Sequence, residues 1–387
     1  MSVLRSRPVL RWLVPATAAV AVIGGGAAIG TFAAEAEPSL PPRTAAQLLV
    51  DLQTSRLEGL SGTVVQRADL GLPPLVGLLP GNELTTMLTG THTLRVWYSG
   101  PDRQRVALLD TLGEQDVIRN GRDLWTWQSR TNTATHRSLG GDAGAWKPAP
   151  DPAASLPATP QQAADLALGA IDPSTEVSVG RSATVAGRDS YELVLQPRDG
   201  DSLVHQLRIA IDARQHVPLR FEVLAKGSDQ PAFEVAFTEV DYRRPDADQF
   251  TFNPPPGVTV TEEKAEVPAA GKPGHAAPNA AGKPGQTAPA GDPETRVVGS
   301  GWTTVLVARL DGPLADGKAP AKPATPAAGA APDMDLSKLL GGLPAVSGDW
   351  GSGRLLSAKL FSVLLTDDGR VLAGAVTPER LYQAARG

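Results

Sequence analysis

Between Gly59 and Asp241, apolar and polar side chains alternate with a period of two in short segments: 62–67, 92–98, 103–110, 115–119, 123–128 and 133–138, then 191–197, 203–212, 218–223 and 232–240. Such runs, bounded by Gly, Pro, Asn and Asp, predict strands with one greasy face. In the 203–212 segment Leu203, His205, Leu207, Ile209 and Ile211 share one face, and Gln206, Arg208 and Asp212 the other. Asn120-Gly121, between two of these segments, is a hairpin signal, because both residues accept the positive φ of a type I′ turn. The pattern predicts a meander of antiparallel strands.

Two stretches switch to the helical period. TAAQLLVDLQTSR at 44–56 places Ala46, Leu49, Val50 and Gln53 at helical spacing behind Pro41 and Pro42. TPQQAADLALGAIDP at 159–173 offers Thr159 as N-cap, Pro160 at the first helical position and Gln162 at N3, ahead of Ala163, Leu166 and Ala167. A large antiparallel sheet, greasy on one side and served by only two helices, admits two readings. Its apolar face is a solid core, or it leaves a cavity in which an acyl chain lies. The wall of such a cavity is expected at Val106 and Leu108, Leu193 and Leu195, Leu207 and Ile209, and Phe221 and Val223, with Leu49 and Leu166 as the lid. Strand register, which decides inside from outside, is not visible in the sequence. Trp125 and Trp127 share a strand face and Trp97 sits on an earlier strand; these rings either line the cavity or seal the outer face.

Composition changes this picture at both ends. With 40 Gly and 35 Pro in 387 residues, much of the chain is not packed core. Residues 263–295 contain AAGKPG twice in an Ala/Pro/Gly/Lys run and read as a disordered linker; 311–333, with KAPAKPATPAAGAAP, reads as a second such insert. The linker divides a main domain at 43–262 from a smaller β-rich region at 296–387. There, GSGWTTVLVARL at 299–310 reads as a strand, and 353–385 as a hairpin turning at Asp367-Asp368-Gly369, then a helix capped by Thr377 with Pro378 at its first position. At the N-terminus, Arg5, Arg7 and Arg11 precede an uncharged stretch from Trp12 to Ala34. Residues 1–36 are thus either a signal peptide, cleaved at Ala34-Glu35-Ala36, or a membrane anchor; both place the rest outside the cytoplasm, secreted or anchored at the cell membrane.

Charge and chemistry exclude more than they suggest. The 36 basic and 41 acidic residues are scattered without runs, so no nucleic-acid footprint is present. The chain lacks cysteine, which removes disulfides, thiol chemistry and lipidation of a cysteine. Its five histidines, His92, His136, His205, His216 and His275, form no HExxH or other metal-site spacing, and neither a GxSxG nor a Walker loop occurs in the folded regions. No cofactor and no enzymatic activity are expected.

Two motifs carry a resemblance. DADQFTFNPPPGVTVTE at 246–262 resembles the C-terminal signature of the LolA family of periplasmic lipoprotein carriers, in which an aromatic strand runs into a proline turn and a short Val-rich strand. VIRNGRDLWTWQSRTNTATH at 117–136 is similar to that family's hairpin. The resemblance implies an α+β fold: an unclosed antiparallel β-barrel with a helical lid, followed here by the small antiparallel C-terminal region. In that fold the prolines stop sheet pairing at the barrel rim. It also implies a non-catalytic carrier or sensor for a lipid or a lipidated protein. The two-part layout is similar to that of the RseB/MucB regulators, which implies a membrane anti-sigma factor as an alternative partner; a structural role among envelope proteins is the third reading. One departure counts against strict lipoprotein ferrying: where the carriers have Arg before a proline, this chain reads YSGPD, with Gly100 before Pro101. The high Ala, Gly, Pro and Arg content fits an actinobacterial type.

Overall fold

The computed structural model describes residues 38–72, 89–110, 113–139, 159–162, 164, 171–263, 295–309 and 342–387. The N-terminal export segment, the linker at 264–294, the insert at 311–333 and the lid candidate Leu166 lie outside the described residues. Among those described, no helix is long and apolar enough to cross a membrane.

The period-two segments form one large sheet. Its strands are β1 (Leu60–Asp69), β2 (Thr89–Tyr98), β3 (Arg103–Asp110), β4 (Gly113–Asn120), β5 (Asp123–Gln128), β6 (Thr133–Ser138), β7 (Thr175–Val179), β8 (Ala183–Val185), β9 (Arg188–Pro197), β10 (Val204–Asp212), β11 (Pro218–Ala225), β12 (Pro231–Asp241) and β13 (Thr259–Glu263). Their order is β13-β6-β5-β4-β3-β2-β1-β12-β11-β10-β9-β7, with β8 beside β9, and the path does not close. Register shifts in the β1–β12, β10–β11 and β11–β12 pairs insert extra residues, which bend and twist the sheet.

Four local expectations are corrected. The hairpin after β4 has its two-residue loop at Gly121-Arg122, and only Gly121 has positive φ (62°); this is the requirement of a type II′ turn, not of a type I′ turn at Asn120-Gly121. His205 is the extra residue of the bulge between the Val204–Ala225 and Gln206–Leu224 pairs, so it is exposed and Val204 is buried; a bulge cancels strict alternation. In the proline motif, Ala247–Phe250 is a 3-10 turn rather than a strand. Nor do the prolines end pairing: after a turn closed by Val258 N–H to the Pro255 carbonyl (3.2 Å), β13 joins β6 in parallel and makes the sheet mixed.

The helix α1 (Ala45–Thr54) begins with a full capping box: Thr44 Oγ1 accepts from Gln47 N–H, and the Gln47 side chain accepts from Thr44 N–H. Leu48 and Leu52 face the sheet and are buried, Leu49 packs half-buried at the margin, and Val50 is 56% exposed. The core stripe is therefore 45, 48, 49 and 52, not the predicted 46, 49, 50 and 53. At the second helix, residues 160–162 and 164 are helical and Gln162 N–H donates to Thr159 Oγ1 at 3.2 Å, as its capping pattern predicts.

A second, antiparallel sheet contains β14 (Thr295–Val298), β15 (Val305–Arg309), β16 (Ala345–Gly348), β17 (Gly351–Ser357), β18 (Ser362–Thr366) and β19 (Arg370–Gly374) in the order β14-β15-β19-β18-β17-β16. The helix α2 (Pro378–Ala385) covers one face, packing Leu381 and Ala384 with Val305, Val307, Leu364 and Leu372. Loops join this sheet to the first: Leu203 N–H donates to Ala375 O (2.9 Å), Thr377 N–H to Asp201 O (3.0 Å), Trp302 Nε1–H to Thr175 Oγ1 (2.8 Å) and Lys359 Nζ to Asp69 (2.6 Å).

Candidate binding face

Directly opposed residues on neighbouring strands share a face of a sheet. Leu195 opposes Leu207 and Leu193 opposes Ile209; these oppose Val223 and Phe221 in turn, and Phe221 opposes Val235. Across β12 and β1, Val235 opposes Gln66 and Phe237 opposes Val64. Val64 then opposes Leu94, Leu94 opposes Leu108, and Val96 opposes Val106. The register thus brings all eight predicted wall residues onto one face, continuous from β9 to β3. It is the face on which α1 sits, since Leu48 and Leu52 belong to the same buried cluster as Leu193, Ile209 and Phe221.

The two halves of this face differ. On β9 to β11, Leu193, Leu195 and Ile209 have no accessible surface, Leu207 and Phe221 keep 5% each, and Val223 alone of the six is half-buried. On β3 and β4 the covering thins: Val106 and Leu108 are half-buried, and Val117, opposite Val106, is 38% exposed. Sequence reasoning missed Val117, although the alternation of Val117 with Ile118 in DVIRN carried the signal. It also missed the polar pair that interrupts the face: Gln66 and His92 oppose each other and are buried, and a His92 ring nitrogen lies 3.1 Å from Thr89 O. Two hollows lined by described residues, about 200 and 240 Å³, lie elsewhere, one beside Arg95 and Trp97 and one on β16 and β17.

The tryptophans are on the opposite face. Trp97 opposes Arg105, which opposes Ile118, which opposes Trp125, and both Arg95 and Arg105 guanidiniums sit 5.1 Å from the Trp97 ring. The chain leaving β12 crosses this outer face, with Phe250 buried and Phe252 against Trp125 and Trp127 at 5.1 and 6.1 Å. These rings seal the outside rather than line the inner wall. Beneath them Asp116 is held 2.5 Å from Arg105, and its burial, only partly offset by that guanidinium, pushes its pKa up to about 6.

One buried carboxylate fixes the loop that meets the end of α1. Asp212 accepts from Nε and Nη2 of Arg188 (2.7 and 3.2 Å), the Tyr242 hydroxyl (2.9 Å) and the backbone N–H of Arg214 and Gln215 (2.8 and 2.9 Å). Burial alone would raise its pKa; these hydrogen bonds outweigh burial and lower it. The loop so fixed receives the end of α1, through Ser55 Oγ to Gln215 O at 3.2 Å. Among the described residues no group of His, Asp and Glu is placed to hold a metal ion.

No protein-family model matches the chain, and no curated protein sequence does. Solved structures do. The chain is similar to MucB and to LolA-superfamily structures. The MucA/MucB complex of Pseudomonas aeruginosa matches at 17% identity with a TM-score of 0.40, over 88% of this chain and 96% of that one. A LolA superfamily protein from Nitrosomonas europaea matches at 12% and 0.22, over 55% and 99%. A DUF1329 family protein from Desulfovibrio piger matches at 12% and 0.24, over 53% and 95%. At these identities and scores, none of the likenesses assigns a role to any residue of this chain.

Proposed function

We propose that this protein is a non-catalytic, extracytoplasmic carrier or sensor that holds an acyl chain of a lipid or lipidated protein against its inner apolar face. The observation that carries this reading is the asymmetry of that face, closed at Leu193, Leu195, Leu207, Ile209 and Phe221 and left half-open at Val106, Leu108 and Val117. An acyl chain would lie along the open half beside α1, with Leu49 and Leu166 as the proposed lid. The interaction is transfer of apolar surface from water, which at about 25 cal/mol per Å² amounts to several kcal/mol for one sequestered chain. The uncharged stretch from Trp12 to Ala34 supports the extracytoplasmic site of action.

A second reading, regulation of a membrane anti-sigma factor by lipid occupancy, is favoured by the second sheet. Its face opposite α2 carries Leu306, Ala373, Val363 and Leu356 in one cross-strand row, all half-buried, and none belongs to a core cluster of described residues. Native mass spectrometry of protein purified from its own envelope, followed by titration of the delipidated chain with a fluorescent fatty acid, tests the first reading. A co-purifying lipid mass and saturable one-to-one uptake are expected. The absence of both a lipid mass and uptake would overturn it. Binding to an anti-sigma ectodomain that added lipid relieves would favour the second reading.

A further inference from the structure

The strand β13 is unlike the others. All five of its residues are exposed, Val260 at 40%, so little apolar burial holds it to the sheet. What holds it is a parallel ladder to the edge of β6 and a set of polar contacts. Asn132 Nδ2 donates to Gly257 O (2.8 Å), Thr259 N–H donates to Asn132 O (3.0 Å), and Arg137 pairs with Glu263. At the centre, His136 Nδ1 lies 2.8 Å from Glu262 Oε2 on β13, and Nε2 lies 3.1 Å from Asp123 Oδ1 on β5. The ring stacks on Trp125 with centroids 4.3 Å apart.

We propose that β13 is a detachable cover over the edge of β6, fastened by a charge clasp centred on His136 that opens as pH rises. The geometry itself argues for this. Each ring nitrogen faces a carboxylate, which can only accept a hydrogen bond, and only the doubly protonated imidazolium can donate to both. A neutral ring has one N–H and must leave one carboxylate facing a lone pair. The charged groups around the ring are Asp123 from β5 and Glu262 from β13, with the Arg137–Glu263 pair alongside; Trp125 contributes only its ring. Burial pulls the imidazole pKa down, but the hydrogen bonds to Glu262 and Asp123 and their charges outweigh it, so the net shift is upward from 6.5. A raised imidazole pKa means that the clasp is fully made below about pH 6.5 and is lost as pH rises through the higher folded-state value.

Opening bares the N–H and C=O row of β6, an edge to which another strand can add, and frees the start of the connection to the second sheet. The test is hydrogen exchange on the full chain, with protection of the Thr259–Glu263 amides corrected for intrinsic rates at pH 6 and pH 9. Protection should fall by about fivefold at pH 9, the scale of an exposed ion pair, while the β4–β5 amides stay constant. His136→Gln should give low protection at both values and no pH dependence. Glu262→Gln, at a side chain 69% exposed and so without risk to folding, should lower protection at pH 6 selectively. Equal wild-type protection at the two pH values, or an unchanged fall in His136→Gln, would overturn the proposal.

Discussion

Replacement of Asp212 by alanine is expected to destabilise the protein by about 3–5 kcal/mol, because it strands the Arg188 guanidinium half-buried without its counter-charge and orphans the Tyr242 hydroxyl and two backbone N–H groups. Asp212→Asn keeps one acceptor oxygen and should cost less. Urea unfolding at neutral pH measures both. The pH dependence separates this carboxylate from a generic core residue. Its folded-state pKa lies below the ordinary 3.8, so its contribution is present above that value and disappears as pH falls through the lower one. The deficit of the alanine variant should therefore shrink towards pH 3. Because the loop after Asp212 receives the end of α1, exchange of the α1 amides should quicken in the variant more than exchange in β14 to β19.

The strands were legible because half-buried antiparallel sheet imposes a two-residue period that needs no tertiary knowledge to read. Where that period failed, a local device overrode it. The bulge at His205 turned an alternating residue outward. In α1, Ala45, Ala46, Leu48, Leu49, Val50 and Leu52 surround most of the helix, so apolarity alone could not choose a face; the Thr44 cap and docking on the sheet chose Leu48 and Leu52. The short strands β7, β14 and β16, at sheet edges, went unread because an edge strand buries little and so leaves a weak pattern. The wall residues were legible as i, i+2 pairs, since each pair shares a face whatever the register. Which half of the wall stays open was not legible, because it depends on where α1 lands on the sheet.

That division of the wall separates stability from binding in a way a single experiment can read. Ile209 is fully buried between Leu193 and Phe221, so Ile209→Ala removes methylenes from close-packed surroundings and should cost about 2–5 kcal/mol of stability. Val117 is 38% exposed at the open end, so Val117→Asp should shift unfolding by only about 0.5 kcal/mol. The same substitution puts a carboxylate where the acyl chain would leave water. Desolvating it on binding should weaken fatty-acid uptake by about 100-fold. A folded Val117→Asp protein with wild-type uptake would mean that the chain does not lie on the β3–β4 half. Uptake lost only in Ile209→Ala would move the site beneath α1, to the half that is closed in this structure.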